Sequence, residues 1–426
     1  MTTLSKLGRL LPRIALAACA GALAQAACAA PTSILFVGNS YTFGRVDPVM
    51  SYNAANVHDL TAGFNAVSSA GSNPWEPHPW GGIAGIFKQF SVQKGLDYDV
   101  SISARNAASL RGQYLNTANA AWDLRGNVAS RSWDVVVLQE QSDAALPVGS
   151  GKNANPAAFR AYANKFEDFI HDGAAQSYTE TALYGGLAAC QATGQSVAQC
   201  NTVRKIAANP NANPNTKVYL TETWARPDMV FQHLVTKADT TSPDGRPIVD
   251  TGAGKATLYY PALAGMTADL HAAFYGLAAD NPDYAGVLPA GDAFQRALDM
   301  GLAKADGFYD ASGVYVPNQP GELMNLWWDD YLHASKYGSY LDALVQFGAI
   351  TGFDPRSLGR DEIAARDLGI SGADAFALQN VAALQLGLAE VPEPGMLGMV
   401  GMGMGLMAFV SRKGRASRRS GPQPRN

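Results

Sequence analysis

The chain has 426 residues, of which 47% are hydrophobic and 16% are charged, enough for one large domain or two ordinary ones. Its formal net charge of −4 is unevenly spread, because residues 30–394 carry 23 basic and 36 acidic side chains while both ends carry only basic ones. A body this acidic excludes nucleic acid and anionic membrane surfaces as expected partners.

Residues 1–29 have the pattern of a secretory signal peptide. Three basic residues precede an apolar run from Ile14 to Ala24, and small residues lead up to Ala29, which predicts cleavage after that position. The apolar run is too short to favour a permanent membrane anchor. The sequence therefore predicts an exported protein.

The first element of the exported body is a buried strand that ends in a serine. Ile34 to Val37 is an apolar run with β-branched residues, and Gly38 and Asn39 tolerate backbone angles that end a strand. Ser40 then either lies at the carboxyl edge of a parallel sheet, where open α/β folds bind ligands, or caps a following helix.

The rest of the body alternates strands with helices. The patterns predict strands at 98–102, 133–138, 217–221 and 285–289, and helices at 81–94, 156–171, 261–279, from 292 onwards and at 336–350. This alternation predicts an α/β fold, a three-layer α/β/α sandwich around a mostly parallel sheet of roughly five strands.

Two stretches fall outside the alternation. Residues 178–216, rich in Ala, Asn and Gln, are interpreted as an insertion in a domain that spans 30–355, and 356–390 as a C-terminal extension or linker. The insertion holds Cys190 and Cys200, which remain after signal cleavage, and in an exported protein this pair predicts a disulfide. The six histidines are scattered, so the sequence predicts no metal site and no organic cofactor.

Asp330 and His333 lie just before the last predicted helix. On a helical turn, side chains three positions apart lie about 5–6 Å apart at Cβ. A carboxylate there can hold the imidazole Nδ1–H and leave Nε2 free to take a proton from a serine. The alternative is a capping aspartate beside a surface histidine.

Gly38-Asn39-Ser40 after the first strand, together with Asp330-x-x-His333 near the end of the domain, resembles the SGNH (GDSL-like) hydrolase superfamily. The resemblance covers about residues 33–352 and implies a flavodoxin-like sandwich. It implies that Ser40 is the nucleophile, His333 the general base and Asp330 the acid that orients the imidazole. Acyl transfer through an acyl-enzyme, without a metal or cofactor, would follow.

The resemblance also implies an oxyanion hole. Its donors would be the Ser40 backbone N–H, a second backbone N–H at Ala108 or Ser109, where the family has glycine, and a side-chain amide. Gln141 occupies the place of the usual asparagine, and Gln139 is the other candidate. The alternative for both glutamines is hydrogen bonding within the loop.

Three tryptophans are candidate contacts for a sugar or an acyl group. Trp327 and Trp328 lie beside Asp330, and Trp224 follows the fourth predicted strand. Packing in the core is the alternative for each of them.

The C-terminus carries three elements in order. They are Pro392-Glu393-Pro394, an apolar run at 396–410 and a basic cluster that ends at 419, followed by a polar tail at 420–426. The segment 391–419 resembles the PEP-CTERM sorting signal of Gram-negative bacteria, with an ordinary tail anchor as the alternative. The resemblance implies processing by signal peptidase and exosortase, transient membrane insertion of this segment, and a place in the periplasm, on the outer surface or in the extracellular matrix.

These observations together predict an exported serine esterase, and the sorting signal suggests O-acetyl groups on extracellular polysaccharide as its substrate. Two other functions remain open on the same fold. One is a catalytically weak or inactive surface protein that binds glycans or builds matrix, which the departures at the oxyanion positions favour. The other is a sugar O-acyltransferase, which would use the same residues.

Overall fold

A computed structural model of the protein describes residues 30–45, 47–63, 76–231, 257–305, 322–328 and 330–389. In chain order the strands are β1 (Thr32–Gly38), β2 (His58–Asp59), β3 (Tyr98–Ala104), β4 (Val135–Gln139), β5 (Gln176–Thr179), β6 (Val203–Ile206), β7 (Lys217–Thr221), β8 (Tyr284–Leu288), β9 (Ala303–Lys304) and β10 (Met324–Asn325). Six of them form one parallel sheet in the order β2-β3-β1-β4-β7-β8.

The predicted α/β architecture is confirmed, with one additional strand. When the two-residue edge strand β2 is set aside, the five longer strands follow the order 2-1-3-4-5, which is that of flavodoxin-like folds. In such a sheet the central strand is buried on both faces, and Ile34 to Val37 are accordingly 0% exposed. The sequence did not predict β2, which pairs with the edge of β3.

Helices flank the sheet, and their bounds agree with most of the predicted ones. They are α1 (Ser40–Phe43), α2 (Gly82–Gln93), α3 (Leu110–Leu115), α4 (Leu124–Val128), α5 (Pro156–His171), α6 (Glu180–Leu183), α7 (Leu187–Ala192), α8 (Val197–Asn201), α9 (Leu263–Asp280), α10 (Ala290–Asp299), α11 (Lys336–Thr351), α12 (Ile363–Asp367) and α13 (Gly372–Gln385).

Aromatic side chains fill the space between the sheet and its helices. On β1, Phe36 contacts Phe87 of α2, which in turn contacts Phe347 of α11. Elsewhere Phe159 of α5 packs against Phe274 of α9. Each such ring removes a large apolar area from water, so these contacts fix where α11 lies relative to β1.

The insertion is a small folded unit attached to the body. Its strands β5 and β6 pair antiparallel, and α6 to α8 lie between them in the chain. Cys190 and Cys200 form a disulfide in which both residues are fully buried and the Cα atoms are 5.9 Å apart. Glu180 joins the unit to the body, because its carboxylate accepts from Arg111 at 2.6 Å and from Tyr162 of α5 at 2.8 Å.

Residues 356–389 are an extension that packs on the domain rather than a linker. Here α13 lies against α11, and Gln379 donates hydrogen bonds to the Tyr340 hydroxyl at 3.1 Å and to the Gly359 carbonyl at 2.8 Å. The sequence left open whether this stretch is an extension or a linker, and many of its apolar side chains are buried.

Several predictions fall on residues that lie outside the described parts of the chain. These are the signal peptide at 1–29 and the segment 391–426 with Pro392, Glu393 and Pro394. Within the described ranges, no helix has the length and apolar character needed to cross a bilayer.

Candidate functional site

Ser40 lies where β1 passes into α1, at the carboxyl edge of the sheet. Asn39 is the N-cap, since its side-chain oxygen accepts from the Tyr41 backbone N–H at 3.1 Å. A Cβ on Gly38 would come within 2.0 Å of the Thr42 hydroxyl, so the glycine is needed for space rather than for an unusual backbone angle. Ser40 thus begins the helix instead of capping it, with its hydroxyl at the sheet edge.

The structure brings Ser40, His333 and Asp330 together. His333 Nε2 lies 2.8 Å from Ser40 Oγ, and His333 Nδ1 lies 2.6 Å from Asp330 Oδ2. Because a carboxylate can only accept, Nδ1 carries a hydrogen, and in the neutral imidazole Nε2 is then free to accept from the serine hydroxyl. Two residues separated by 293 positions are in hydrogen-bond contact.

A tight turn rather than a helical turn holds Asp330 and His333. Asp330 Oδ1 accepts from the backbone N–H groups of Leu332 at 3.0 Å and His333 at 2.9 Å, while Tyr331 has a φ of 58°. Burial alone would raise the pKa of Asp330, but the charge and hydrogen bonds of His333 outweigh it and lower that pKa to about 2. The aspartate is therefore ionised at neutral pH.

The three tryptophans are buried in the core, which is the alternative that the sequence left open for each of them. Trp224 is stacked on Tyr41 with ring centroids 4.0 Å apart, and the two side chains donate to the Leu332 carbonyl at 3.0 and 3.1 Å. Trp327 donates to the Ala225 carbonyl at 3.0 Å, and Trp328 is 7% exposed. All three rings are buried in the core, and none lines the cavity beside Ser40.

In the loop after β3, Ala107 lines the cavity beside Ser40, whereas the predicted candidates Ala108 and Ser109 do not. The Ala108 N–H donates to the Arg105 carbonyl at 3.2 Å, and Ser109 is the N-cap of α3. Ala107 lines the cavity, has a φ of 54°, and its N–H has no acceptor among the described residues. Glycine adopts such an angle most easily, and alanine is also small. A small residue in the loop after β3 is therefore the sequence signal for this position, which lies one or two residues before the predicted candidates.

The two glutamines have different surroundings. Gln139 is 2% exposed, and its side-chain oxygen accepts from the Asn39 backbone N–H at 2.9 Å and from the Thr42 hydroxyl at 3.0 Å. Its amide nitrogen donates to the Glu140 carbonyl. Gln139 is therefore part of the framework under the β1–α1 junction, whereas Gln141 lines the cavity.

Glu140 connects the two loops that carry the oxyanion candidates. It is 1% exposed, and its Oε1 accepts from the backbone N–H groups of Leu110 at 3.0 Å and Gln141 at 2.6 Å. Burial is the main cause that raises the pKa of Glu140, to about 7. The hydrogen bonds fix Gln141 relative to the start of α3, which follows Ala107.

A cavity of about 240 Å³ opens beside the Ser40 hydroxyl. Besides Ser40 and His333, it is lined by Asn39, Tyr41, Arg45, Asn106, Ala107, Gln141, Ser142, Lys152, Asn153, Arg226 and Leu332. The unbonded N–H groups of Ser40 and Ala107 and the amide of Gln141 all belong to this lining. A carbonyl bound in the cavity therefore has a nucleophile and hydrogen-bond donors at hand.

One group of side chains with metal-ligand chemistry occurs in the part of the chain that the structure describes. Ligand atoms of Glu222, His271 and Asp292 lie within 4.8 Å of one another. They bond among themselves, since His271 Nδ1 is 2.9 Å from Asp292 Oδ2 and the Asp292 N–H donates to Glu222 at 3.0 Å. None of the three lines the cavity beside Ser40.

No protein-family model matches the sequence, and no curated protein is significantly similar to it. Solved structures resemble the chain at low identity. A DUF4886 family protein from Bacteroides uniformis is 12% identical, with 85% of this chain and 98% of that chain covered and a TM-score of 0.43. A protein from Slackia heliotrinireducens, provisionally assigned as an SGNH hydrolase, is 16% identical, with 75% and 99% covered and a TM-score of 0.33.

Phospholipase A1 from Streptomyces albidoflavus is a further structure that resembles the chain. It is 15% identical, with 68% of this chain and 93% of that chain covered, and the TM-score is 0.30.

Proposed function

We propose that the protein is an ester hydrolase of SGNH type that uses Ser40 as its nucleophile. The observation that carries the proposal is the chain of hydrogen bonds from Ser40 Oγ to His333 Nε2 at 2.8 Å and from His333 Nδ1 to Asp330 at 2.6 Å. These contacts give each residue the geometry that a serine–histidine–aspartate triad requires.

The reaction follows from where the proton can go. His333 Nε2 takes the proton of the Ser40 hydroxyl as Oγ attacks the ester carbonyl, and the imidazolium then protonates the leaving alcohol. This leaves an acyl-enzyme on Ser40. In the second half His333 takes a proton from water, whose oxygen attacks the acyl carbon and releases the acid. Asp330 stays ionised and holds the imidazole throughout.

Negative charge develops on the carbonyl oxygen in both halves of the reaction. The proposed donors to this oxygen are the backbone N–H groups of Ser40 and Ala107 and the side-chain amide of Gln141, and all three residues line the cavity. One donor of this kind contributes about 2.7–4 kcal/mol to the lowering of a barrier of this type. The cavity thus combines nucleophile, base and charge stabilisation.

The terminal segments support a proposed place of action outside the cytoplasm. The N-terminal signal pattern and the Pro392-Glu393-Pro394 segment favour export followed by sorting to the cell surface or matrix. Esters on extracellular polysaccharide, O-acetyl groups among them, are the substrates that fit such a location.

The proposal is tested by the hydrolysis of 4-nitrophenyl acetate by the purified protein. We expect turnover by wild type and its loss, by at least about a thousandfold, in Ser40→Ala and His333→Ala. Ser130→Ala is the matched control, because Ser130 is an exposed serine outside the cavity. Equal hydrolysis by wild type and Ser40→Ala would refute the serine mechanism.

A further inference from the structure

The cavity beside Ser40 is lined by basic and neutral side chains only. Arg45, Lys152 and Arg226 belong to its lining, and among the described residues that surround it there is no aspartate or glutamate. The body of the protein has 36 acidic and 23 basic residues between positions 30 and 394, so a lining with three basic groups and no acid departs from the average surface. A cavity lined by basic groups favours ligands that carry a negative charge.

The two arginines already have acidic partners behind the cavity wall. Arg226 is largely buried, forms hydrogen bonds with Asp228 at 2.6 and 3.0 Å, and lies 3.3 Å from Asp143. Arg45 lies 3.4 Å from Glu76. The charges of both arginines are therefore balanced by acidic side chains of the protein.

Lys152 has no such partner. Its side chain is exposed, and no acidic group among the described residues forms an ion pair with it. An ammonium group is a compact charge on a flexible stem, so it can reach an anion bound in the cavity that it lines. Lys152 is the cation of the lining whose charge is available to a ligand.

The loop that carries Lys152 is fixed immediately after it. The buried carboxylate of Asp143 accepts from the Asn153 backbone N–H at 2.9 Å and from the Asn153 side chain at 3.0 Å. The Asn155 N–H donates to the Ala144 carbonyl at 2.8 Å. Because the same Asp143 carboxylate also contacts Arg226, one buried acid holds the loop and the arginine on the same side of the cavity.

We infer that the ester which this site takes carries a negatively charged group close to the scissile bond, and that Lys152 binds this group. The inference rests on the proposed function and specifies its substrate class. The charged group is a carboxylate, a sulfate or a phosphate, all of which offer oxygen acceptors to an ammonium group. An acidic glycan ester would meet this requirement, whereas an ester of a neutral sugar would not.

The test compares esters that differ in charge and little else. On the alcohol side, 4-acetoxybenzoate and 4-acetoxybenzenesulfonate are each paired with the neutral 4-acetoxybenzamide. On the acyl side, the mono-4-nitrophenyl ester of terephthalic acid is paired with 4-nitrophenyl 4-carbamoylbenzoate, because the rigid ring keeps the carboxylate from attacking its own ester. We expect kcat/KM of wild type to be about tenfold higher for the anionic member of at least one pair, as a single charge contact near a protein surface allows.

Variants at Lys152 separate this contact from any general preference of the protein. Lys152→Gln is expected to bring the ratio of the two kcat/KM values close to one, and Lys152→Glu to reverse it. Lys217→Gln is the matched control, since Lys217 is an exposed lysine at the amino end of β7, away from the sheet edge that holds Ser40. The wild-type preference should also weaken between about 0.01 M and about 1 M salt.

The outcomes distinguish the two proposals. If wild type hydrolyses the neutral and anionic esters equally and Ser40→Ala hydrolyses neither, the charged-substrate inference fails and the esterase proposal stands. A preference for anionic esters that persists in Lys152→Gln also overturns the role of Lys152. If wild type hydrolyses none of these esters, the esterase proposal fails and the inference fails with it.

Discussion

At the scale of single residues, the site depends on one carboxylate that keeps a histidine in a fixed tautomer. Asp330 accepts hydrogen bonds from His333 Nδ1–H and from two backbone N–H groups, so both of its carboxylate oxygens are hydrogen-bonded. The pKa of Asp330 is lowered to about 2, and this interaction therefore persists from neutral pH far into the acid range. The stability that the ionised carboxylate contributes is present above its ordinary pKa and is lost as the pH falls towards 2.

Replacing Asp330 with asparagine tests this role. In Asp330→Asn the side-chain oxygen can still accept from the turn backbone, but an amide no longer selects the productive tautomer of His333 as a carboxylate does. We expect kcat for 4-nitrophenyl acetate to fall by about 10³–10⁴. The midpoint of thermal unfolding should also fall, because the charge that stabilises the fold at neutral pH is lost. Retention of more than about a tenth of wild-type kcat would show that Asp330 does not orient the base.

The two glutamines near Ser40 should respond differently to truncation. Gln141→Ala removes a donor from the cavity, so we expect kcat to fall by about 10²–10³ while the free energy of unfolding changes little. Gln139→Ala leaves the Asn39 N–H and the Thr42 hydroxyl without their buried acceptor, so we expect it to destabilise the fold by about 1–3 kcal/mol. Steady-state kinetics and urea unfolding on both variants check the contrast, and a larger loss of stability in Gln141→Ala would reverse the assignment.

At the scale of elements, the buried strands were predictable, and the details of the loops were not. Ile34 to Val37 and the run before Gln139 are apolar because both faces of a parallel strand are covered, which leaves a plain sequence signal. The strand β2 consists of His58 and Asp59, and its pairing depends on the free edge of β3, so no local pattern marks it. The left-handed angle at Ala107 is likewise set by the loop around it.

The tryptophans show that the sequence alone does not tell whether an aromatic residue beside the Asp330–His333 motif contacts a ligand or packs in the core. Trp327 is adjacent to the catalytic segment in sequence, but its ring points into the core and contacts Phe294 of α10. Only the packing of α10 and α11 decides between burial and exposure to a ligand, and that packing is not visible in the local sequence.

The helix α11 carries a buried acid that should make the fold sensitive to pH. Asp342 is 1% exposed and accepts a hydrogen bond from Gln346 at 2.8 Å, and burial raises the pKa of Asp342 to about 7. The folded state therefore holds a proton that the unfolded state releases between about pH 4 and about pH 7. Stability due to this group is highest below that range and falls as the pH rises through it.

The variant Asp342→Asn removes this titration. We expect it to be more stable than wild type at about pH 8 by on the order of 2 kcal/mol, and to differ little from wild type at about pH 4, where the aspartate is neutral. Guanidinium unfolding at both pH values measures the difference, with the exposed Asp361→Asn as the control. Equal stabilities at both pH values would show that Asp342 is not held in its neutral form.

At the scale of the whole molecule, the proposed catalytic groups come together because α11 returns to the first strand. Ser40 ends β1 and His333 precedes α11, and the Phe36–Phe87–Phe347 contacts place α11 beside the strand that carries the serine. The order of strands and helices predicted this return. The extension at 356–389 was not predicted to pack, because its contacts with α11 are made by long-range pairs such as Gln379 and Tyr340.

The insertion offers a test of how independent the site is from the rest of the molecule. Neither Cys190 nor Cys200 lines the cavity, and their disulfide closes a short loop. We expect the double variant Cys190→Ser, Cys200→Ser to lose about 2–3 kcal/mol of stability, while kcat stays within about twofold of wild type. Thermal unfolding and ester hydrolysis measured on one preparation check both parts, and a large loss of kcat would mean that the insertion shapes the site.

The most direct measurement is the covalent labelling of the protein by a fluorophosphonate probe, followed by intact mass and peptide analysis. The account predicts one equivalent of probe on Ser40, no label in Ser40→Ala, and labelling at least about a hundredfold slower in His333→Ala. Equal labelling of wild type and Ser40→Ala, or a label on another residue, would contradict the claim that the Ser40 hydroxyl is an activated nucleophile.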